Sequence, residues 1–328
     1  MTDAVCMVEL WRGDLLESSH AGHAVICDDT GRIVQAWGDP AQVIYPRSAC
    51  KMVQALPLVE SGAADRARLG VAQLALACAS HSGARSHTDR VSAWLGDLGL
   101  TDDALRCGPQ WPSDEAALHA MIRAGATPCQ VHNNCSGKHA GFLTLARDMG
   151  AGPEYTDIDH PVQQAARDAF ERMTGQDSPG FGIDGCSAPN FQTTLLGLAR
   201  AMARFAAAPA DSAAGRLRAA MMAHPDLVAG EGRACTRLMR AVPGAVAVKT
   251  GAEGVFTAIL PGRGLGVALK IVDGATRASE SAIAALLVRL GVFEPGDPVA
   301  QSFVAAPILN RRGIVTGVMR ARGALLDR

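Results

Sequence analysis

Strand-like apolar runs sit at both ends of this chain, and helix-like apolar spacing fills its middle. Val5 to Trp11 has strand character, and His23 to Cys27 and Ile33 to Trp37 flank Asp28-Asp29-Thr30-Gly31, a hairpin turn. From Thr88 to about Ala241 the spacing predicts helices over 90–98, 114–124, 138–148, 161–173 and 191–206, with Val71 to Ala79 a further buried helix. Two irregular patches interrupt them, His132 to His139 and Phe181 to Asn190. Strands then return at 245–248, 255–260 and 265–272, the last two joined by Pro261-Gly262-Arg263-Gly264. Thr276 to Leu290 reads as a long helix and Ile314 to Arg320 as a final short strand.

This order predicts an α/β (α+β) fold: one antiparallel sheet built from both chain ends, flanked by helices, with a helical region inserted. Residues 1–328 are expected to form a single composite domain. In it, 1–60 and 241–328 supply the sheet region, and 61–240 the mainly helical one.

Composition narrows the class. The chain is 48% hydrophobic and 19% charged with net charge −1, which suits a large buried core and argues against disorder or nucleic-acid binding. No apolar stretch is long enough to span a membrane, and the first residues carry no signal-peptide pattern, so a cytoplasmic location is expected. Nine cysteines without framework spacing then read as reduced thiols, with metal-binding ones possible among them.

The candidate chemistry centres on Arg47-Ser48-Ala49-Cys50-Lys51, a Ser-x-x-Lys followed by the apolar run Met52 to Leu58. On a helix, residues three apart share a face, so the Ser48 hydroxyl and Lys51 amine can meet. A serine needs a base beside it to become a nucleophile, and an amine released from its proton can serve. The other reading is an N-cap serine before a first-turn lysine. The chain has four lysines against 27 arginines, which favours a chemical reason for each amine it keeps, because arginine cannot give up its proton.

Lys249-Thr250-Gly251 ends a predicted strand, with Ala247 and Lys249 on one face and Gly251 leaving the backbone open to a substrate. Lys249 read structurally is a strand-end lysine facing water. Ser80, in Ala79-Ser80-His81-Ser82-Gly83, is either a second hydroxyl of the site or part of a helix-ending turn. Lys270 alternates out of an apolar run and reads as a structural or edge lysine. Cys135 and Lys138 share a glycine-bearing turn, and Cys186 lies in Ile183-Asp184-Gly185-Cys186. Two thiolates and a nitrogen suit zinc, while buried reduced thiols are the alternative.

Taken together, Arg47-Ser48-x-x-Lys51, Ala79-Ser80-His81-Ser82-Gly83, His132-Asn133-Asn134-Cys135-Ser136-Gly137-Lys138-His139, Gly182-Ile183-Asp184-Gly185-Cys186 and Lys249-Thr250-Gly251-Ala252-Glu253-Gly254 closely resemble the class 3, rhizobial-type L-asparaginases. The resemblance spans nearly the whole chain. It implies the fold shared by serine β-lactamases and serine-dependent glutaminases, the substrate L-asparagine and a homodimer. It implies two serine–lysine pairs, Ser48 with Lys51 and Ser80 with Lys249, with Ser48 the acylating nucleophile. It also implies zinc held by Cys135, Lys138 and Cys186 close to the substrate. Arg47, Asp184 and Gly251 would line or support the site, and Cys235 would lie near it.

Three other readings share these residues. A penicillin-binding or β-lactamase-like enzyme also uses Ser-x-x-Lys and Lys-Thr-Gly, but no Ser-Asp-Asn occurs here. A glutaminase differs by one methylene of substrate, which a pocket distinguishes by only ~1–3 kcal/mol. A non-catalytic zinc- or ligand-binding protein on the same scaffold is the third.

Overall fold

The computed structural model describes residues 3–326. The chain falls into two compact units: one takes the chain up to Ala49, Thr194–Ala207 and Arg237 onward, and the other takes Cys50–Thr193 and Ala208–Thr236.

The first unit is built on an eight-stranded antiparallel sheet made from both ends of the chain. Its strands run in the order Ala305–Leu309, Val315–Ala321, Val5–Arg12, Leu15–Cys27, Leu265–Ile271, Val255–Leu260, Ala247–Thr250. The strand Ile33–Trp37 pairs with the second half of Leu15–Cys27, as the Asp28–Gly31 turn requires. Leu15–Cys27 explains its own two roles. Its first five residues, Leu-Leu-Glu-Ser-Ser, are exposed, whereas Ala24 to Cys27 is an apolar run buried on both faces. The helices Leu195–Ala207 and Thr276–Arg289 pack on the sheet, both nearly all apolar where they do so.

The α/β fold with one antiparallel sheet is therefore as the apolar pattern led us to expect. Several elements differ, among them the helix expected over 191–206, which begins at Leu195 after the strands Pro189–Phe191 and Thr193–Thr194. Ala305–Leu309 is a strand that the pattern did not signal, because Pro307 argues against one; it sits at the sheet edge, where a missing N–H is tolerated. Leu265–Ile271 is an interior strand, so Lys270 is no edge residue. Half-buried, it turns back to donate to the carbonyls of Glu253 and Ile271, each at 2.6 Å.

The second unit is mainly helical. At its centre lies Ser136–Asp148, whose first eleven residues are all buried, as expected for a helix surrounded by others. Gly137 lets it approach the helix Val71–Ala77: a Cβ there would lie 2.5 Å from the Leu76 carbonyl oxygen. That contact brings the start of one helix beside the end of the other. No helix among the described residues is long and apolar enough to cross a membrane.

Candidate active site

In the helical unit the chain leaves Val71–Ala77 and runs on through Cys78 to Gly83 wholly buried. A buried segment outside regular structure must find partners for its backbone groups. The Ser80 N–H donates to Val228 O at 2.9 Å and the His81 N–H to Asn134 O at 3.0 Å. Arg233 Nη1 reaches Ser80 O at 3.4 Å. This fixes Ser80 in front of Lys51, the first residue of the short helix Lys51–Gln54.

Lys51 is fully buried. Its Nζ donates to Ala79 O at 2.5 Å, Ser80 Oγ at 3.0 Å and Cys135 Sγ at 3.0 Å. These partners are a carbonyl, a hydroxyl and a thiol, a setting suited to moving protons rather than to an ion pair. The hydroxyl that Lys51 holds is thus that of Ser80.

The run Asn133-Asn134-Cys135 shows how short polar side chains build the facing turn. Asn133 Oδ1 accepts the Cys135 N–H at 2.9 Å, and its Nδ2 donates to Cys107 O at 2.8 Å and Gly108 O at 3.0 Å. The Cys135 thiol donates to Asn134 Oδ1 at 2.8 Å. Helix Ser136–Asp148 begins directly after Cys135, and Lys138 on its first turn donates to Cys186 Sγ at 3.1 Å. Cys186 projects from the turn of the hairpin Phe181–Ile183 and Pro189–Phe191. Asp184 shapes that turn: its carboxylate accepts the Gly185 N–H at 2.7 Å, its N–H donates to Ala188 O, and its carbonyl accepts the Ser187 N–H. Its charge also acts on Lys138.

Charge is divided unequally between the two thiols. The neighbouring Cys135, with Lys138 and His139, holds the Cys186 thiol well below its usual range despite burial. The same neighbour, Cys186, and then burial push Cys135 up, consistent with its S–H donating to Asn134. Burial pulls on Lys138 too, but the thiols of Cys186 and Cys135 outweigh it and keep the amine protonated. Burial drives His139 down to about 4. Its Nδ1 lies 2.8 Å from Tyr155 Oη, which accepts the Arg106 N–H at 2.7 Å. Its buried Nε2 has no hydrogen-bond partner of good geometry and is turned to Cys186.

Two thiols and an amine would suit zinc once Lys138 had given up its proton, and the His139 ring nitrogen stands beside them. Among the described residues no three of His, Cys, Asp and Glu could hold a metal ion, so a metal here would need Lys138 as a ligand.

In the sheet unit, Ser48 lies on the 3-10 turn Arg47–Cys50. Arg47 has φ of +51°, a left-handed conformation that is strained for a side-chain-bearing residue and common where a functional group is presented. Thr257 Oγ1 ties this turn to the neighbouring strand, reaching Ala49 O at 3.1 Å and Lys249 O at 3.3 Å. Gly251 closes the arrangement: a Cβ would meet Pro46 O at 2.8 Å and Ala49 N at 3.1 Å. The room its missing side chain leaves is therefore taken by the turn bearing Ser48, not by a ligand. Lys249 is buried, not facing water, and its Nζ donates to Thr250 O at 2.8 Å.

The structure thus gathers Arg47, Ser48, Lys249 and Gly251 in one unit, and Lys51, Ser80, Cys135, Lys138, Asp184 and Cys186 in the other. Ser48 and Lys51 are joined through the Ala49–Cys50 peptide. Cys235 is buried near the start of the helix Ala234–Ala241, two residues after the Arg233 that reaches Ser80. Asn133, Asn134, His139 and Tyr155 gained no role from spacing alone. Tyr155 carried one faint signal, being one of only two tyrosines in the chain.

A family model described as L-asparaginase II matches residues 8–321. No protein of curated function matches the sequence. Among solved structures, one described as Mglu in its native form is 16% identical, with 87% of this chain and 68% of that one covered at a TM-score of 0.48. A β-lactamase from Mycobacterium bovis is 14% identical, with 83% of this chain and 95% of that one covered at a TM-score of 0.36.

Proposed function

This chain belongs to the L-asparaginase II family and is an amidohydrolase, and from that premise we propose that it hydrolyses the side-chain amide of L-asparagine to L-aspartate and ammonia through a serine acyl-enzyme. The observation that carries the mechanism is the buried Lys51 amine, 3.0 Å from a serine hydroxyl and bonded to no carboxylate among the described residues.

Ser48, half-exposed on its strained turn, attacks the amide carbon, and Lys51 takes its proton. The oxyanion is held by backbone N–H groups, that of Ser48 among them. Lys51 passes that proton to the amide nitrogen, ammonia leaves, and water hydrolyses the β-aspartyl ester to give aspartate and free Ser48. Ser80 and Lys249 relay protons and replenish Lys51. Cys135, Lys138 and Cys186 would hold zinc, which when bound supplies a positive centre that orients the substrate. Asp184 supports Cys186 by shaping its turn, and Arg47 and Gly251 fix the turn that carries Ser48. Nine free cysteines support a reducing, cytoplasmic setting. The working form is assigned as a homodimer from the family likeness.

The 3.0 Å contact between Lys51 and Ser80 favours one second reading, in which Ser80 is the nucleophile and Ser48 the relay. Ammonia release from L-asparagine and L-glutamine, with Ser48→Ala and Ser80→Ala alongside, tests both. Preference for asparagine with activity lost in Ser48→Ala supports the assignment. A Ser48→Ala enzyme of near-normal rate rejects it.

A further inference from the structure

His81 adjoins Ser80 in sequence, and its bonds run to the other functional turn. Its backbone N–H donates to Asn134 O at 3.0 Å. Its Nδ1 accepts the Gly83 N–H at 3.1 Å, so in the neutral ring the proton sits on Nε2. Nε2 lies 2.9 Å from Ser136 Oγ, and Ser136 Oγ donates to Val131 O at 2.9 Å. Asn134 and Ser136 are the residues on either side of Cys135. One histidine therefore grips the Cys135 turn on both flanks, while its own neighbour Ser80 and the gripped Cys135 each lie 3.0 Å from the same Lys51 Nζ.

We propose that His81 is the positioning residue that holds Ser80 and Cys135 in register around Lys51. The inference rests on the amidohydrolase reading for its rate predictions only; the cross-link itself is a matter of geometry. His81 touches no reacting atom. Its ring is 1% exposed and stacks on His87 with centroids 4.8 Å apart and planes within 8°. Burial, with His87 and Lys51 nearby, keeps it well below its usual pKa, so it acts as a fixed neutral donor rather than as an acid or base. Two other anchors of Ser80, Val228 O and Arg233, tie it to the segment 225–236. Lys51 reaches both turns with one flexible amine, and His81 links them by a rigid ring and its own backbone.

The test is a double-mutant cycle on the full-length protein. His81→Phe keeps the stacked ring but removes both nitrogen contacts, and Ser136→Ala removes the partner hydroxyl. Displacing groups that must meet to within a fraction of an ångström costs on the order of 100-fold in rate. We expect His81→Phe to lower kcat by roughly 10- to 100-fold with KM changed far less, and Ser136→Ala to lower it by a smaller factor. The double variant is expected to be no worse than His81→Phe alone, because both changes break one link. His81→Gln, whose amide N–H can replace Nε2–H, is expected to recover a large part of the rate. Multiplicative losses in the double variant, or a folded His81→Phe with unchanged kcat and merely lowered Tm, would overturn the proposal. If His81→Phe fails to fold, Ser136→Ala decides alone: a normal kcat rejects the bridge. If the unmutated protein releases no ammonia, the functional reading has failed instead. The cycle is then read on Tm, where coupling between the two sites supports the bridge and additivity rejects it.

Discussion

The two units of this protein use their lysines differently. In the sheet unit, Lys249 donates to Thr250 O, and Lys270 to the carbonyls of Glu253 and Ile271, contacts that secure main chain. In the helical unit, Lys51 and Lys138 each donate to a sulfur, and Lys51 also to a hydroxyl. A strand sets a side chain by alternation and leaves its amine beside neighbouring carbonyls. The helical unit instead sets its lysines at helix starts, against buried irregular turns whose own polar groups are satisfied by Asn133, Asn134 and Asp184. Lys51 and Lys138 thus meet atoms that can exchange protons, while the proposed relay role of Lys249 comes from the Lys-Thr-Gly motif.

The largest effect that would break this contrast is on rate. Lys51→Met is expected to lower kcat by about 10²–10⁴-fold, the usual range for loss of a proton-transfer group, whereas Lys270→Met stays within a few-fold. Comparable losses in both would dissolve the distinction. Next comes metal. Cys186→Ser is expected to weaken zinc binding at least about 100-fold in a competition titration, with Lys138→Met similar. Because Cys135 holds its proton unusually tightly, that proton competes with the metal, and zinc affinity rises with pH. A pH-independent affinity would contradict the assignment of Cys135 as a ligand.

Stability sharpens the comparison from the sheet side. Gly251→Ala sets a methyl 2.8 Å from Pro46 O, and overpacking of this kind costs about 1–3 kcal/mol in urea unfolding. The rate should fall with it, because the displaced turn carries Ser48; a neutral substitution would show the turn to be loosely held. In the helical unit the stacked His81 and His87 are both depressed from 6.5, first by burial. The unfolded chain takes up their protons near pH 6.5 while the folded protein does not. They therefore leave stability intact above that pH and withdraw it as pH falls towards the folded pKa values. Stability of His81→Phe should fall less steeply below pH 6.5, and equal slopes would count against the buried neutral pair.

Much of the fold was legible because strands and helices repeat. The sheet formed from both ends followed from apolar periodicity, except at Pro307, where an edge position overrode a residue that forbids interior strands. The site was legible as motifs and less so as geometry. Ser-x-x-Lys spacing brings Ser48 and Lys51 together in sequence, yet the hydroxyl bonded to Lys51 comes from Ser80, which no periodicity relates to it. The helix expected from 48 onward is broken into a 3-10 turn and two short helices, Lys51–Gln54 and Leu56–Glu60, with Pro57 at the start of the second. Gly251 read as an opening for a ligand because sequence cannot tell which backbone will fill a missing Cβ. His81, Asn133 and Tyr155 act through buried hydrogen bonds to distant main chain, and such contacts leave no spacing to read.

The central claim is that an acyl group passes through Ser48. Acid-quenching the enzyme during turnover of L-asparagine and mapping its peptides by mass spectrometry would test it directly. The account predicts a β-aspartyl group on Ser48, absent from Ser48→Ala and accumulating when hydrolysis of the ester is slowed. An adduct on Ser80, or none on either serine while ammonia is released, would contradict it.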